Sequence, residues 1–195
     1  MGKAGPHAPY RHTKGEKSVD TSQARHTDGD LTVRKGGAEF IDRLAPLWLA
    51  LHAHHQSVQP GFPYFPDEDS WELRRGCYRR WILDEGSFVL LAERDGQPVG
   101  YAFVQIEEGP DDTWVTGTRI AELQTLSVLP AERGHGIGTL LLDLVDAELD
   151  RIGVTDLLIG TLAANTGAQR LYERRGLRPV LVYYARFAAD DAKPA

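Results

Sequence analysis

The chain has 195 residues, 42% of them apolar, and a formal net charge of −6 from 22 basic and 28 acidic residues. That is enough apolar material for one domain core, and the acidic balance argues against a non-specific nucleic-acid surface. Cys77 is the only cysteine, which excludes a disulfide framework and a cysteine-based zinc site, and no apolar run approaches membrane-spanning length.

A reducing cytoplasm is the expected compartment, since the N-terminus also lacks the charged-then-apolar order of a secretory signal. Residues 1–30 are polar, with almost no large aliphatic side chain. Such a segment cannot bury enough surface to offset its ordering entropy and is expected to be a disordered tail. A folded domain is expected over residues 31–188, with 189–195 as a short C-terminal tail. Leu31-Thr32-Val33-Arg34 reads as its first strand. From about Ala38 to Gln56, Phe40, Leu44, Leu47, Trp48 and Leu51 mark one face of a helix that Pro46 kinks or divides. His52, His54 and His55 invite a metal reading, but no acidic or cysteine partner is spaced to complete a shell. They are read as surface histidines, and no metal is expected.

The proline-rich connection from Gln59 to Asp69 carries Phe62, Tyr64 and Phe65, which are costly to expose together, and forms either a lid or a pocket wall. Asp69 or Ser70 is expected to cap a second helix, with Glu72 at capping-box spacing. Trp71, Cys77, Tyr78, Trp81 and Ile82 are its expected buried side, and Gly86 its end. Phe88 to Ala92 and Val99 to Ile106 read as strands joined by a hairpin at Asp95-Gly96. An acidic loop, Glu107 to Gly117, leads to a strand at Arg119 to Val128.

That strand breaks at Pro130, which cannot donate to a ladder, and the loop Arg133-Gly134-His135-Gly136-Ile137-Gly138 follows. Leu141, Leu142, Val145, Leu149 and Ile152 then fall at helical spacing. Glycines let successive N–H groups turn toward one point, and the first helical turn adds unpaired N–H groups and a positive dipole end. Strand, glycine loop and helix in this order make a phosphate cradle. It is not a Walker loop, because Thr139-Leu140 follow Gly138 where Lys-Ser/Thr is needed, and no GxGxxG frame starts at Gly134 or Gly136. A glycine-rich turn without a ligand stays as the plainer reading. Val154 to Thr161 reads as a further strand, Asn165 to Arg175 as a helix capped by Asn165 and closed by Gly176, and Leu181 to Phe187 as a last strand. The order describes a mixed α/β sheet.

The string RGxGxG after a strand ending in Val-x-Pro resembles the acyl-CoA pyrophosphate loop of the GCN5-related N-acetyltransferase (GNAT) family. A second motif, Asn165-x-x-Ala168-x-x-Leu171-Tyr172-x-x-x-Gly176-Leu177, matches in order and spacing the pattern that follows the family's fifth strand. The resemblance covers Leu31 to Phe187. It implies a GNAT fold: an α/β domain whose mixed, mostly antiparallel sheet is flanked by helices. Its fourth and fifth strands, here Arg119 to Val128 and Val154 to Thr161, would splay apart to admit acyl-CoA.

The resemblance also implies roles. Acetyl-CoA would be the co-substrate, its pantetheine lying as an added strand along Leu126, Ser127 and Val128. The Leu126 N–H would point at the thioester oxygen. Arg133, Gly134, His135, Gly136, Ile137, Gly138 and Thr139 would hold the pyrophosphate, His135 through its backbone, and Asn165 would touch the pantetheine arm. Tyr172 takes the family's general-acid position near the CoA sulfur, against a plain role as a core tyrosine. Glu122, six residues before Val128 and so expected on the same strand face, stands where some members carry a general base, against a plain role as a salt-bridged carboxylate. Gly160 replaces a glutamate often found in members that acetylate protein N-termini, which makes a small-molecule amine the expected acceptor.

The activity so implied is acetyl-CoA-dependent N-acetylation by direct transfer in a ternary complex, with Cys77 outside both motifs. A small cationic amine is the expected acceptor, because Phe62, Tyr64, Phe65, Asp67, Glu68 and Asp69, together with Glu107, Glu108, Asp111 and Asp112, gather acid and aromatic groups on the acceptor side. A non-catalytic acyl-CoA-binding module and a protein or peptide N-acetyltransferase remain alternatives. No nucleic-acid or membrane partner is expected, and a homodimer stays open.

Overall fold

In the computed structural model, which describes residues 24–25, 31–109 and 114–187, the β-rich runs pair into one six-stranded sheet in the order β1-β2-β3-β4-β5-β6. The strands are β1 (Ala24–Arg25), β2 (Leu31–Gly36), β3 (Phe88–Arg94), β4 (Gln97–Glu108), β5 (Arg119–Val128) and β6 (Leu157–Ile159). All neighbours are antiparallel except β5 and β6, which run parallel. The β3–β4 turn is dictated locally: Asp95 and Gly96 both hold positive φ, 49° and 74°, as a two-residue loop matching the strand twist requires. Ala24–Arg25 form a two-residue strand inside the segment expected to be a tail. The rest of 1–30, the expected tail 189–195, and Asp111 and Asp112 lie outside the described residues.

Both faces of the sheet are covered, so β4 is buried continuously from Val99 to Ile106 rather than alternately. On one face α3 (Ile137–Ile152) lays Ile137, Leu141, Leu142, Val145 and Leu149 against Leu90, Ala102 and Val104. On the other, a 3₁₀ helix (Ala38–Leu44), α1 (Ala45–Val58) and α2 (Asp67–Trp81) bring Ile41, Leu44, Leu47 and Tyr78 onto Leu91, Tyr101 and Phe103. The Tyr78 ring stacks on Phe103 at 4.2 Å, and its hydroxyl meets those of Tyr101 at 2.9 Å and Thr125 at 2.5 Å. Those contacts satisfy polar tips that burial would otherwise orphan. The short α4 (Thr166–Arg174) follows β6.

Pro46 divides the first helical region as expected: it sits at the start of α1, where a missing N–H costs nothing, and the turns before it are 3₁₀. Four expectations are corrected. First, α2 begins at Asp67, after Pro66, so Asp69 is no cap; Asp67, Glu68 and Asp69 sit in the first turn, favourably placed against the dipole. The Ser70 hydroxyl is taken instead by the Trp48 indole, whose Nε1 donates to it at 3.0 Å. Second, α2 stops at Trp81, short of Gly86, and of its expected buried side only Tyr78 is fully buried. Third, the strand expected over Val154 to Thr161 contracts to Leu157–Ile159. Fourth, Leu181 to Phe187 form no strand; they run without regular pairing, and Tyr183 and Tyr184 are exposed. With β6 only three residues long, that sheet edge gives the last segment little ladder to join. No helix among the described residues is long and apolar enough to cross a membrane.

Candidate active site

The site begins where β5 outruns its neighbour. Pairing with β6 extends only from Ala121↔Leu157 to Leu123↔Ile159, while β5 continues to Val128. The Leu129 N–H donates to the Val99 carbonyl of β4 at 2.9 Å. Backbone groups alternate sides along a strand, so those of Ser127 also face β4, and those of Leu126 and Val128 face the side that β6 has left. Arg133 Nε reaches the Val128 carbonyl there at 3.0 Å. Leu126 and Val128 therefore turn their backbone groups to the side that β6 leaves. Ser127, expected beside them at the co-substrate, does not: its backbone turns to β4, and its buried hydroxyl donates to the Leu47 carbonyl of α1 at 2.8 Å.

Beyond the end of β5 the glycine loop folds as a cradle. Gly134 and Gly136 hold φ of 82° and 80°, and Gly136 is the N-cap of α3. A Cβ on either would meet nothing within 4 Å, so backbone conformation, not crowding, demands glycine there. The first helical bond runs from Leu140 N–H to Gly136 O at 2.9 Å. The N–H groups of Ile137, Gly138 and Thr139 thus have no intrahelical acceptor and point out of the helix end. The Ile137 side chain is buried and anchors that end, whereas Arg133, His135 and Thr139 are exposed.

The splay opens into a cavity of about 280 Å³. One wall is β5 from Leu123 to Leu126, a second is Trp48 and His55 of α1 with Arg74 of α2, and the third is Asn165 and Tyr172 of the α4 region. Asn165 Oδ1 accepts from Ala168 N–H at 3.2 Å, so it caps α4 and lines the cavity at once. Burial pushes the Tyr172 phenol up to about 12, which keeps it protonated at ordinary pH. Gly160 borders the cavity, with open space where a side chain would stand.

Glu122 requires a correction. The β4–β5 register passes from Phe103↔Thr125 to Val104↔Leu123, which leaves Gln124 as an extra residue on β5. Such a bulge reverses the alternation. Glu122 therefore does not share a face with Val128; it pairs with Gln105 and shares the α1/α2 face with Thr125 and Ser127. Its carboxyl is raised above the usual range, first by burial and then by Glu107, with Arg74 and a hydrogen bond from Gln124 opposing. It does not line the cavity, although its neighbour Gln124 does.

Two cavity residues escape the sequence reading. Of the histidines expected at the surface, His52 is buried, with Nε2 2.9 Å from the Phe65 carbonyl, and His55 lines the cavity. Burial, with His54, His52 and Arg74 adding to it, lowers the His55 imidazole to about 4, so it is neutral. Arg74 stands at helical spacing among Trp71, Tyr78 and Trp81, and that one basic residue in an aromatic stripe was its available signal. Cys77 does not line the cavity; its Sγ accepts from Arg80 at 3.2 Å. Among the described residues no three His, Cys, Asp or Glu side chains gather as a metal site.

The site thus joins a mixed sheet that splays beyond Ile159, a cradle of unpaired N–H groups past the end of β5 and the cavity between them, on an α/β fold. The model of the acetyltransferase (GNAT) family matches residues 48–177. The chain belongs to this family. A mycothiol acetyltransferase from Thermobispora bispora is 34% identical over 135 residues, covering 66% of this chain and 41% of its own. One from Sanguibacter keddieii is 33% identical over 145 residues, covering 74% and 44%. The chain thus spans less than half the length of these curated relatives. In fold it is similar to a GCN5-related N-acetyltransferase from Ralstonia eutropha (TM-score 0.64, 19% identity, 81% of this chain and 99% of that one). It is also similar to an aminoglycoside N-acetyltransferase in complex with CoA (TM-score 0.58, 16% identity, 86% and 98%).

Proposed function

We propose that this protein is an acetyl-CoA-dependent N-acetyltransferase that moves acetyl onto the primary amine of a small molecule by direct transfer in a ternary complex. The observation that carries the reading is the cavity at the splay, where the open edge at Leu126, the cap Asn165 and the buried phenol Tyr172 face His55 and Arg74. The residues fit the co-substrate: Ile137, Gly138 and Thr139 offer N–H groups to a pyrophosphate, and the β5 edge offers a ladder to a pantetheine chain. Bound there, acetyl-CoA would supply an activated thioester carbonyl.

The remaining work falls to the chain's own side chains. The Leu126 N–H donates to the carbonyl oxygen as charge grows on it. Tyr172 holds a proton at its Oη for the departing sulfur, and its raised pKa keeps that proton in place until it is needed. Glu122 takes the amine proton through water, a reading supported by its place on the α1/α2 face of β5, beside the cavity but outside its lining. Relatives named as mycothiol and aminoglycoside acetyltransferases support a small-molecule acceptor. The cavity does not support the expected cationic acceptor. Its ionisable lining groups are His55, Arg74 and Tyr172, while Asp67, Glu68, Asp69 and Glu108 are exposed outside it.

The test is amine-dependent release of free thiol from acetyl-CoA across a broad panel of small primary amines. Turnover with at least one is expected. CoA binding with no thiol release from any amine or peptide would leave a binding module in its place.

A further inference from the structure

Arg74 carries a charge that lines the cavity without being tied into an ion pair among the described residues. Its guanidinium lies 4.3 Å from the Trp48 ring centroid, and 5.5 and 5.6 Å from those of Trp81 and Tyr78. The Trp48 platform is itself pinned, because its indole N–H is held by Ser70 across the α1–α2 junction. Other arginines of α2 are engaged: Arg75 with Glu72 at 2.7 Å and Asp42 at 3.6 Å, Arg79 with Asp42 at 3.0 Å. Among the described residues Arg74 makes no ion pair and no hydrogen bond; its close contacts are with aromatic faces, and the Glu122 carboxyl feels its charge only from beyond ion-pair distance. A guanidinium held against aromatic faces keeps its N–H donors, a rigid fork matched to a planar anion. A partly buried cation with no directly paired carboxylate is a natural seat for an anionic group of a ligand.

The other ionisable groups of the cavity wall are neutral at ordinary pH, His55 because it is lowered to about 4 and Tyr172 because it is raised to about 12. Arg74 therefore sets the charge of the lining. CoA does not answer it: the cradle for its phosphates, Arg133 to Thr139, is not part of this cavity, and pantetheine is uncharged. An anion paired directly with Arg74 in this cavity would therefore come with the acceptor.

We propose that Arg74 binds a carboxylate on the acceptor, so that the substrate is an amino-acid-like molecule carrying both the amine to be acetylated and a carboxylate. This rests on the acetyltransferase reading above. The Trp48 and Trp81 faces hold the guanidinium plane, the fork takes both carboxylate oxygens, and the amine is left to point across the cavity toward Leu126 and Tyr172.

The experiment compares matched acceptors with the full chain and acetyl-CoA: α-amino acids, the same amino acids as amides, the amines lacking the carboxyl group, and aminoalkyl phosphates. Wild type is expected to favour acids over amides in kcat/KM by about 10- to 100-fold, the scale of a hydrogen bond to a charged group. In Arg74→Gln that ratio should collapse toward one, chiefly through KM, with CoA affinity retained; Arg74→Lys should recover part of it. Calorimetric binding of an N-acetylated amino acid and its amide to the wild-type CoA complex gives the same comparison without a variant, with the acid expected to bind more tightly. Amides or decarboxylated amines accepted as well as acids, a phosphate preferred over a carboxylate, or selectivity kept in Arg74→Gln would overturn the Arg74 assignment and leave the acetyltransferase reading standing. Failure of every amine, with CoA bound, would overturn both.

Discussion

At the scale of single residues, the roles proposed for Tyr172 and Glu122 place opposite demands on their pKa values. A phenol held at about 12 by burial stays protonated across the working range, so its titration contributes no basic limb to the rate profile. Tyr172→Phe should lower kcat by about 10²- to 10⁴-fold with CoA affinity little changed, as read from steady-state rates and CoA titration. A wild-type kcat would return Tyr172 to a packing role against the α3-side core. Glu122 acts as a base only when ionised, and burial raises its pKa, so the acidic limb of kcat/KM should lie above the ordinary carboxylate range and vanish in Glu122→Gln. The stability sign separates this from a structural role. A carboxyl raised in the folded state binds more protons folded than unfolded between the two pKa values, so its contribution to stability is present below that window and lost as pH rises through it. At neutral pH Glu122 opposes folding, and Glu122→Gln should lose activity while melting no lower than wild type. A lower melting point would mark Glu122 as a stabilising carboxylate instead.

At the scale of elements, the cradle depends on backbone shape more than on any side chain. A Cβ at Gly136 would meet no neighbour, yet in Gly136→Val the residue would have to hold φ near 80°, which a β-branched side chain resists. The loop should relax away from that geometry and scatter the N–H groups of Ile137, Gly138 and Thr139, raising the Kd for CoA several-fold or more in a protein of normal circular dichroism. Unchanged affinity would remove the cradle from the site. Elements whose chemistry is local were legible in the sequence: the Asp95-Gly96 turn, Pro46 at the start of α1, Asn165 as a cap and the glycine loop before α3 all stand as read. What escaped depends on partners distant in sequence. The bulge at Gln124 leaves only a break in alternation, with Leu123 and Leu126 spaced by three where a strand would space them by two, and its register is set by β4. Glu148 lies on the apolar face of α3 and is buried there because Lys35, from β2, meets it at 2.7 Å. Leu181 to Phe187 have strand-forming residues but no long edge to pair with, and a strand exists only with a neighbour. Arg74 fell inside a run of aromatics that reads as core, and its position over Trp48 becomes visible only when α1 and α2 are brought together.

At the scale of the whole molecule, the cavity is where the two sides of the sheet meet. Its wall of α1 and α2 residues comes from the helices that also supply Leu47 and Tyr78 to the core with Tyr101 and Phe103, while Tyr172 packs against the core built on α3, and β5 runs between them. A ligand lying along the open β5 edge would complete the pairing that β6 abandons after Ile159, so its binding should be coupled to the stability of the whole domain rather than to one loop. Mass action gives the size of the effect: CoA at 100 times its Kd stabilises the folded state by about 2.7 kcal/mol. In a domain of this length each kcal/mol moves the midpoint by about 2–4 °C, so a rise of about 5–10 °C is expected, growing with the logarithm of CoA concentration. At the same absolute concentration Gly136→Val should rise less, because its Kd is expected to be larger, and Tyr172→Phe should rise as wild type does, as the role proposed for the phenol in transfer rather than binding requires. A melting point indifferent to CoA would leave the splay as a structural gap and the cradle as a plain turn. An equal rise in wild type and Gly136→Val would instead move the binding energy from the glycine loop to the β5 edge.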